Sequence, residues 1–266
     1  VASARSALVA RSRARRGVGV PTLPAEPPDG VALALASLAD ARLRKWLVQY
    51  TQALWKLRQR GDAGLPVFKS LDELDVYFAE LFVRDFASVL GSLLSGVTDF
   101  NRASQKLVWQ RALGIDPPTE SARYKAVLEA ARKRNVALIK TVGETAKARV
   151  FETLNANVGD PTPALSRKLQ RDISVSASRA RLWARDQTLK LNGELTRATH
   201  EEAGVEEYEW VTSADERVRD SHKRLNGLRF KWDDPPVVSD DGRHEHPGGD
   251  YQCRCIANPV INLSSL

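Results

Sequence analysis

WVTSADERVRDSHKRLNG, Trp210 to Gly227, and HPGGDYQCRC, His246 to Cys255, hold both cysteines and two of the four histidines of a 266-residue chain. Two thiolates and two imidazoles form the donor set of a closed tetrahedral zinc site, because Cys sulfur and His nitrogen suit a borderline-soft ion without geometric demands of its own. In an extended segment residues i and i+2 point to the same side, so Cys253 and Cys255 can offer both sulfurs to one ion while Arg254 faces away. His246 stands just before Pro247-Gly248-Gly249, a turn able to bring its ring back over the sulfurs. His222 is expected at the end of a short helix begun by the capping box Ser213-Ala214-Asp215-Glu216 and carrying Arg217, Arg219 and Asp220. The expected ligands are therefore His222, His246, Cys253 and Cys255, with His244 a substitute for His246 and His200 read as an ordinary mid-helix residue. The competing reading of the same four residues is two buried thiols and two surface imidazoles. A bridge between Cys253 and Cys255 would close a strained small ring, so a reducing compartment fits.

Upstream the pattern is helical. Leu35, Ala39, Leu43, Trp46, Tyr50, Leu54 and Leu57 recur at steps of three and four, which predicts an amphipathic helix ending near Gly61. Ser70-Leu71-Asp72-Glu73 is a capping box, and the helix after it should bury Leu74, Phe78, Leu81, Val89, Leu93, Val97 and Phe100, with Gly96 a candidate break. Beyond Pro117-Pro118 a third helix over about 120–157 carries Tyr124, Leu128, Ala131, Leu138, Val142 and Leu154 and stops at Gly159 to Pro163. A fourth is expected from Ser174 to His200, with Ala180, Ala184, Leu191, Leu195 and Ala198 inward and Gly204 ending it in the left-handed conformation. Tyr208 to Thr212 alternates as a strand does, and Leu228 to Trp232 and Cys255 to Ile261 complete a small sheet. The fold class is mainly α: a helical bundle over 31–160, then a small, zinc-stabilised α+β domain over 161–266.

Before the bundle, residues 1–30 form a basic, Pro-rich arm in which Arg5, Arg11, Arg13, Arg15 and Arg16 have no acid among them; DNA contact and plain solvation of these arginines both fit. Pro21 to Gly30 reads as a linker or extended strap. With a net charge of +7, nucleic acid is an allowed partner and not a required one; a second basic patch, Arg179, Arg181, Arg185 and Lys190, is equally explained as a solvated face. No uninterrupted apolar run reaches the roughly 20 residues of a membrane span, the richest, Val89 to Val97, being short and broken by Ser and Gly. No membrane span is expected, and a soluble chain with it. The absence of Met, with Val at position 1, implies that the translated chain began upstream or was trimmed.

Taken together, Trp210, Thr212, Asp215, Arg217, Val218, Gly227, His246, Pro247, Cys253, Arg254 and Cys255 resemble the C-terminal domain of the phage Mu protein F-like minor head proteins, the phage head morphogenesis family. The likeness extends upstream through ARLWARDQTLKLNGELTRATHEEAGVEEYEW and covers about Pro161 to the C-terminus. The chain departs from the family pattern at Arg219 and His222, where many members have Cys-x-x-Cys, and at Asn226, where the family has Asp. The resemblance implies a structural protein of a tailed-phage or prophage head, present in the virion in multiple copies, associated with the portal vertex, partnered by portal and head proteins and packaged DNA, and passing through the host cytoplasm during assembly.

Two other readings compete. A His-rich, Cys-containing C-terminus also suggests a metal-dependent nuclease of the HNH type, but thiolates would close the coordination sphere that such chemistry needs open. A toxin-like effector role would call for an additional module, and none is evident. A deaminase fits least, since His244-Glu245-His246 has no Pro-Cys-x-x-Cys behind it.

Overall fold

The threefold and fourfold steps from Leu35 to Leu54 place one apolar stripe on a helix, and that stripe is buried in α1 (Asp29–Arg58). The structure is a computed structural model that describes residues 28–58, 71–157 and 162–261. The arginines of the arm, most of the strap, Ser70 of the first capping box and the side chain of Leu57 lie outside the described residues. Three long helices follow: α2 (Leu71–Leu113), α3 (Ala122–Ala156) and α4 (Thr162–Glu202). Then come β1 (Glu207–Val211), the short α5 (Asp220–Lys223), β2 (Arg229–Lys231) and β3 (Ile256–Val260). The mainly helical architecture with a small antiparallel sheet is the one the sequence predicts.

The described residues pack as two compact units, one within 33–93 and 132–185, the other within 28–32, 94–131 and 186–261. In the first, Trp46 stacks on Tyr50 with ring centroids 5.7 Å apart, leans on Phe82 at 4.7 Å and donates its indole N–H to the Phe78 carbonyl at 3.0 Å. Phe82 and Phe86 are buried where Leu81 and Phe100 were expected, and those two are only half-buried. The buried stripe runs Leu74, Phe78, Phe82, Phe86, Val89, Leu93, Val97, an arc that tracks 3.6 residues per turn more closely over so long a helix. Gly96 does not break it: a single glycine costs a helix about 1 kcal/mol, which the packed stripe outweighs. Within Asp72–Leu113 an 18-residue window has mean hydropathy 1.3, long and apolar enough to cross a membrane by length and composition, with 39% of the window buried in the chain. The unbroken-run criterion passed over it because isolated Gly and Ser interrupt a run without lowering a window's mean.

In the second unit, a polar lock joins α2, α3 and α4: the Tyr124 hydroxyl donates to Asn101 Oδ1 at 3.2 Å, and the Asn101 amide donates to Thr196 Oγ1 at 2.9 Å. α4 begins at Thr162, twelve residues before the expected Ser174, since Leu165, Leu169 and Ile173 continue its buried stripe toward the N-terminus. Gly204, at φ 78°, turns the chain out of α4 into β1. β1 is the middle strand, antiparallel to β2 (Tyr208 opposite Phe230) and to β3 (Trp210 opposite Ala257). Its alternation sends Tyr208 and Trp210 inward to a core of Trp232, Val238, Ala257 and the two cysteines.

Candidate metal centre

Three of the four expected ligands converge. The Nδ1 atom of His222 lies 3.5 Å from the Sγ atoms of both Cys253 and Cys255, and all three residues are buried. A tetrahedral ion bound at about 2.3 Å from sulfur and about 2.0 Å from nitrogen requires an N to S separation of about 3.5 Å, so the spacing fits a shared metal. The local chain explains the convergence. Gln252 adopts φ 51° and redirects the backbone, Cys253 and Cys255 then project to one side, and Cys255 leads directly into β3, which is fixed to β1. The Trp210 indole on β1 meets the His222 ring edge to face, with centroids 5.5 Å apart.

Asp250 orients the imidazole from the other side. Its Oδ2 lies 3.2 Å from His222 Nε2 and accepts the Arg219 guanidinium at 2.5 Å, while Oδ1 accepts Arg243 at 2.6 Å and the Tyr251 amide at 2.8 Å. A carboxylate on the far nitrogen fixes which imidazole nitrogen is free to bind and strengthens it as a donor. The Cys253 thiol is held well below its ordinary pKa by a hydrogen bond from Cys255, against the opposing effect of burial, and further by His222 and by the Gly248 amide at 3.4 Å from its sulfur. Cys255 is pushed up by the same bond, in which it keeps the proton, and by burial. Burial pulls His222 down, but its bonds to Cys253 and Asp250 outweigh that and leave it raised. A bound metal would displace the protons that these groups share.

The other expected residues are placed as follows. His246 stands outside the cluster: its Nδ1 is 2.9 Å from the Tyr208 hydroxyl, its ring lies 4.9 Å from that of Trp232, and burial, aided by the charge of Arg197, lowers its pKa to about 4. His244 is exposed, with Nδ1 2.7 Å from the Pro235 carbonyl. Arg254 does turn away from the sulfurs, yet it is buried, gripping both carboxylate oxygens of Asp215 and reaching Asp29 at 3.3 Å. That grip explains why Ser213 to Glu216 does not start a helix. Asp215 is spent on Arg254 and on the Arg217 guanidinium at 3.0 Å, Ala214 sits at φ 54°, and only Asp220–Lys223 are helical, leaving Arg217 and Arg219 before the helix. Gly227, at φ 78°, donates its amide to the Trp210 carbonyl at 2.8 Å and closes the turn into β2.

Asp250, Arg243, Gly193 and Asp29 escaped the sequence reading. Asp250, three residues before Cys253, carried a signal as an acid inside a ligand motif; Gly193 carried one as a lone glycine in a helix. A Cβ at Gly193 would stand 2.5 Å from the Pro247 carbonyl oxygen, and one at Gly248 only 2.9 Å from the Leu189 carbonyl. The turn before the cysteines therefore rests on the α4 backbone. Gly193→Ala, which in an open helix would stabilise by about 0.5–1 kcal/mol, is expected here to destabilise by about 1–3 kcal/mol in thermal melting. A gain in stability would show that the turn does not sit on α4.

Residues 153–258 match the family described as Phage Mu protein F like protein, so this stretch is a Mu F-like domain. Over 88 residues the chain is 46% identical to an uncharacterized protein of Haemophilus influenzae, a match covering 33% of this chain and 19% of that protein. The chain thus spans about a fifth of that relative's length. No solved structure matches.

Proposed function

We propose that this chain is a non-catalytic minor head protein of a tailed phage or prophage, acting at the portal vertex in head morphogenesis or genome delivery, with zinc as a structural ion in its C-terminal domain. The observation that carries the reading is a Mu F-like domain whose thiol and imidazole donors are closed in a core. His222, Cys253 and Cys255 would hold the ion, which would crosslink α5 to the segment before β3. Cysteine sulfur and imidazole suit zinc above magnesium or calcium, which favour oxygen. A nuclease needs its metal open to a phosphate and a water. The cavity touching Cys255 has a volume of 10 Å³, about the room of one water.

Under this reading the arm of residues 1–30 and the helices over 31–160 dock on portal and neighbouring head proteins, and 161–266 is the Mu F-like C-terminal domain. The protein would reside in the virion head in several copies after assembly in the host cytoplasm. A Pro-rich strap loses little freedom on docking, and the arginines before it add attraction to acidic protein or packaged DNA. The test is co-assembly of the full chain with the portal protein of the same genome, followed by native mass measurement. The full chain is expected to form a defined complex, and deletion of residues 1–30 to weaken it while helical content stays. A full chain that ignores both portal and capsid would refute the head assignment.

A further inference from the structure

We propose that the outward face of α4 between Arg167 and Arg185 binds duplex DNA along its phosphate backbone, without reading sequence. At 3.6 residues per turn, Arg167, Arg171, Ser174, Ser178, Arg181 and Arg185 fall on one side of the helix. All are exposed except Arg185, which is half-buried. No acid lies among them, and Arg167 and Arg171 have no acidic partner among the described residues. Asp172 is directed elsewhere and accepts the Thr153 hydroxyl at 2.6 Å. On α1, Arg44 donates to Ser174 Oγ at 3.2 Å and so adds its guanidinium to the same face. The neighbouring acid, Asp40, is taken by Arg44 at 2.7 Å, with Arg181 4.0 Å away.

The two helical segments of this unit that end at the stripe are basic. Residues 132–185 contain twelve Lys and Arg against four Asp and Glu, an excess larger than the net +7 of the whole chain. The stripe spans about 27 Å at 1.5 Å per residue, and a duplex offers it one negative charge per about 1.7 Å of axis. Arginine and serine are phosphate-contacting side chains, which position a duplex without reading its bases. Single strands are bound by stacking on aromatic rings, and the stripe has none. A protein partner would need an apolar or aromatic anchor at the centre of the patch, where Ser174 and Ser178 stand; the exposed Val175 and Leu182 only flank it.

This inference rests on neither the metal nor the portal complex. The full chain is titrated by fluorescence anisotropy against two duplexes of unrelated sequence, about three helical turns long, over a range of salt concentrations. Three variants accompany it: Arg167→Gln with Arg171→Gln and Arg181→Gln; the same three positions changed to Lys; and Arg11→Gln with Arg13→Gln and Arg15→Gln in the arm. Both duplexes are expected to bind alike. The stripe Gln variant is expected to lose at least about tenfold in affinity, and its slope of log affinity against log salt to shrink by about 2 to 3, close to 0.9 per lost phosphate contact. The Lys variant should keep the slope, with an unchanged circular dichroism spectrum in all variants. A slope unchanged in the stripe variant but reduced in the arm variant would overturn the proposal. So would a chain that binds anionic vesicles or polyglutamate and leaves DNA free.

Discussion

Cys253→Ser, Cys255→Ser or exhaustive chelation is expected to strip about one zinc per chain and to melt the small sheet while the helices stay folded. The ligands join two segments with little regular structure: α5 is one turn long, and the chain from Asp233 to Asp250 lacks regular strands beyond isolated bridges. Metal binding in such a segment is folding free energy, and its loss should cost more than about 4 kcal/mol locally. Elemental analysis, with hydrogen exchange at residues 207–211 and 256–260, reads both effects. His246→Ala is expected to keep the zinc, since His246 is held by Tyr208 and outside the cluster. Loss of metal in that variant would make His246 the fourth ligand, drawn from Tyr208 on binding. Metal-free protein with an unchanged sheet would sink the structural role.

The parts of this molecule that could be read from the chain are those governed by periodicity. Leu43, Trp46 and Tyr50 had to share a face because the helix repeat gives them no alternative, and Tyr208 and Trp210 had to share one because the strand repeat does the same. Ser213-Ala214-Asp215-Glu216 misled because a capping box, a Ser hydroxyl and a Glu carboxylate set on backbone amides, is a purely local signal. A buried guanidinium thirty-nine residues away made the stronger claim on Asp215. His246 misled likewise: Pro247-Gly248-Gly249 permits a return toward the sulfurs, but the Tyr208 hydroxyl and the Trp232 ring hold the imidazole in the aromatic core. Long-range partners of this kind leave no mark in spacing. The cysteine pair was legible because both thiols come from one short segment, and Asp250 was missed because its role depends on an imidazole brought in from α5.

Stability should fall as pH drops through the range in which histidine ordinarily titrates, and His200 should account for a measurable share of the fall. Its ring is fully buried between Trp109 and Trp232, with centroids 6.4 and 5.5 Å away, and neither ring nitrogen has a hydrogen-bond partner among the described residues. Burial lowers its pKa from 6.5 to about 3. Below pH 6.5 the unfolded chain therefore takes up a proton that the folded chain refuses. The stability present above that pH is lost at about 1.4 kcal/mol per unit down to pH 3, or about 2 kcal/mol by pH 5. His246, held down to about 4, acts in the same direction. His200→Leu removes an unpaired polar ring and its titration at nearly constant volume, and should be neutral or stabilising at pH 7. Between pH 7 and pH 5 the melting-temperature gap between variant and wild type is expected to widen by about 4–8 °C, because each kcal/mol is worth about 2–4 °C in a chain of this size. A gap that does not change with pH would mean that the folded chain accommodates a protonated His200, and hence that the pocket between the two tryptophans is open to water.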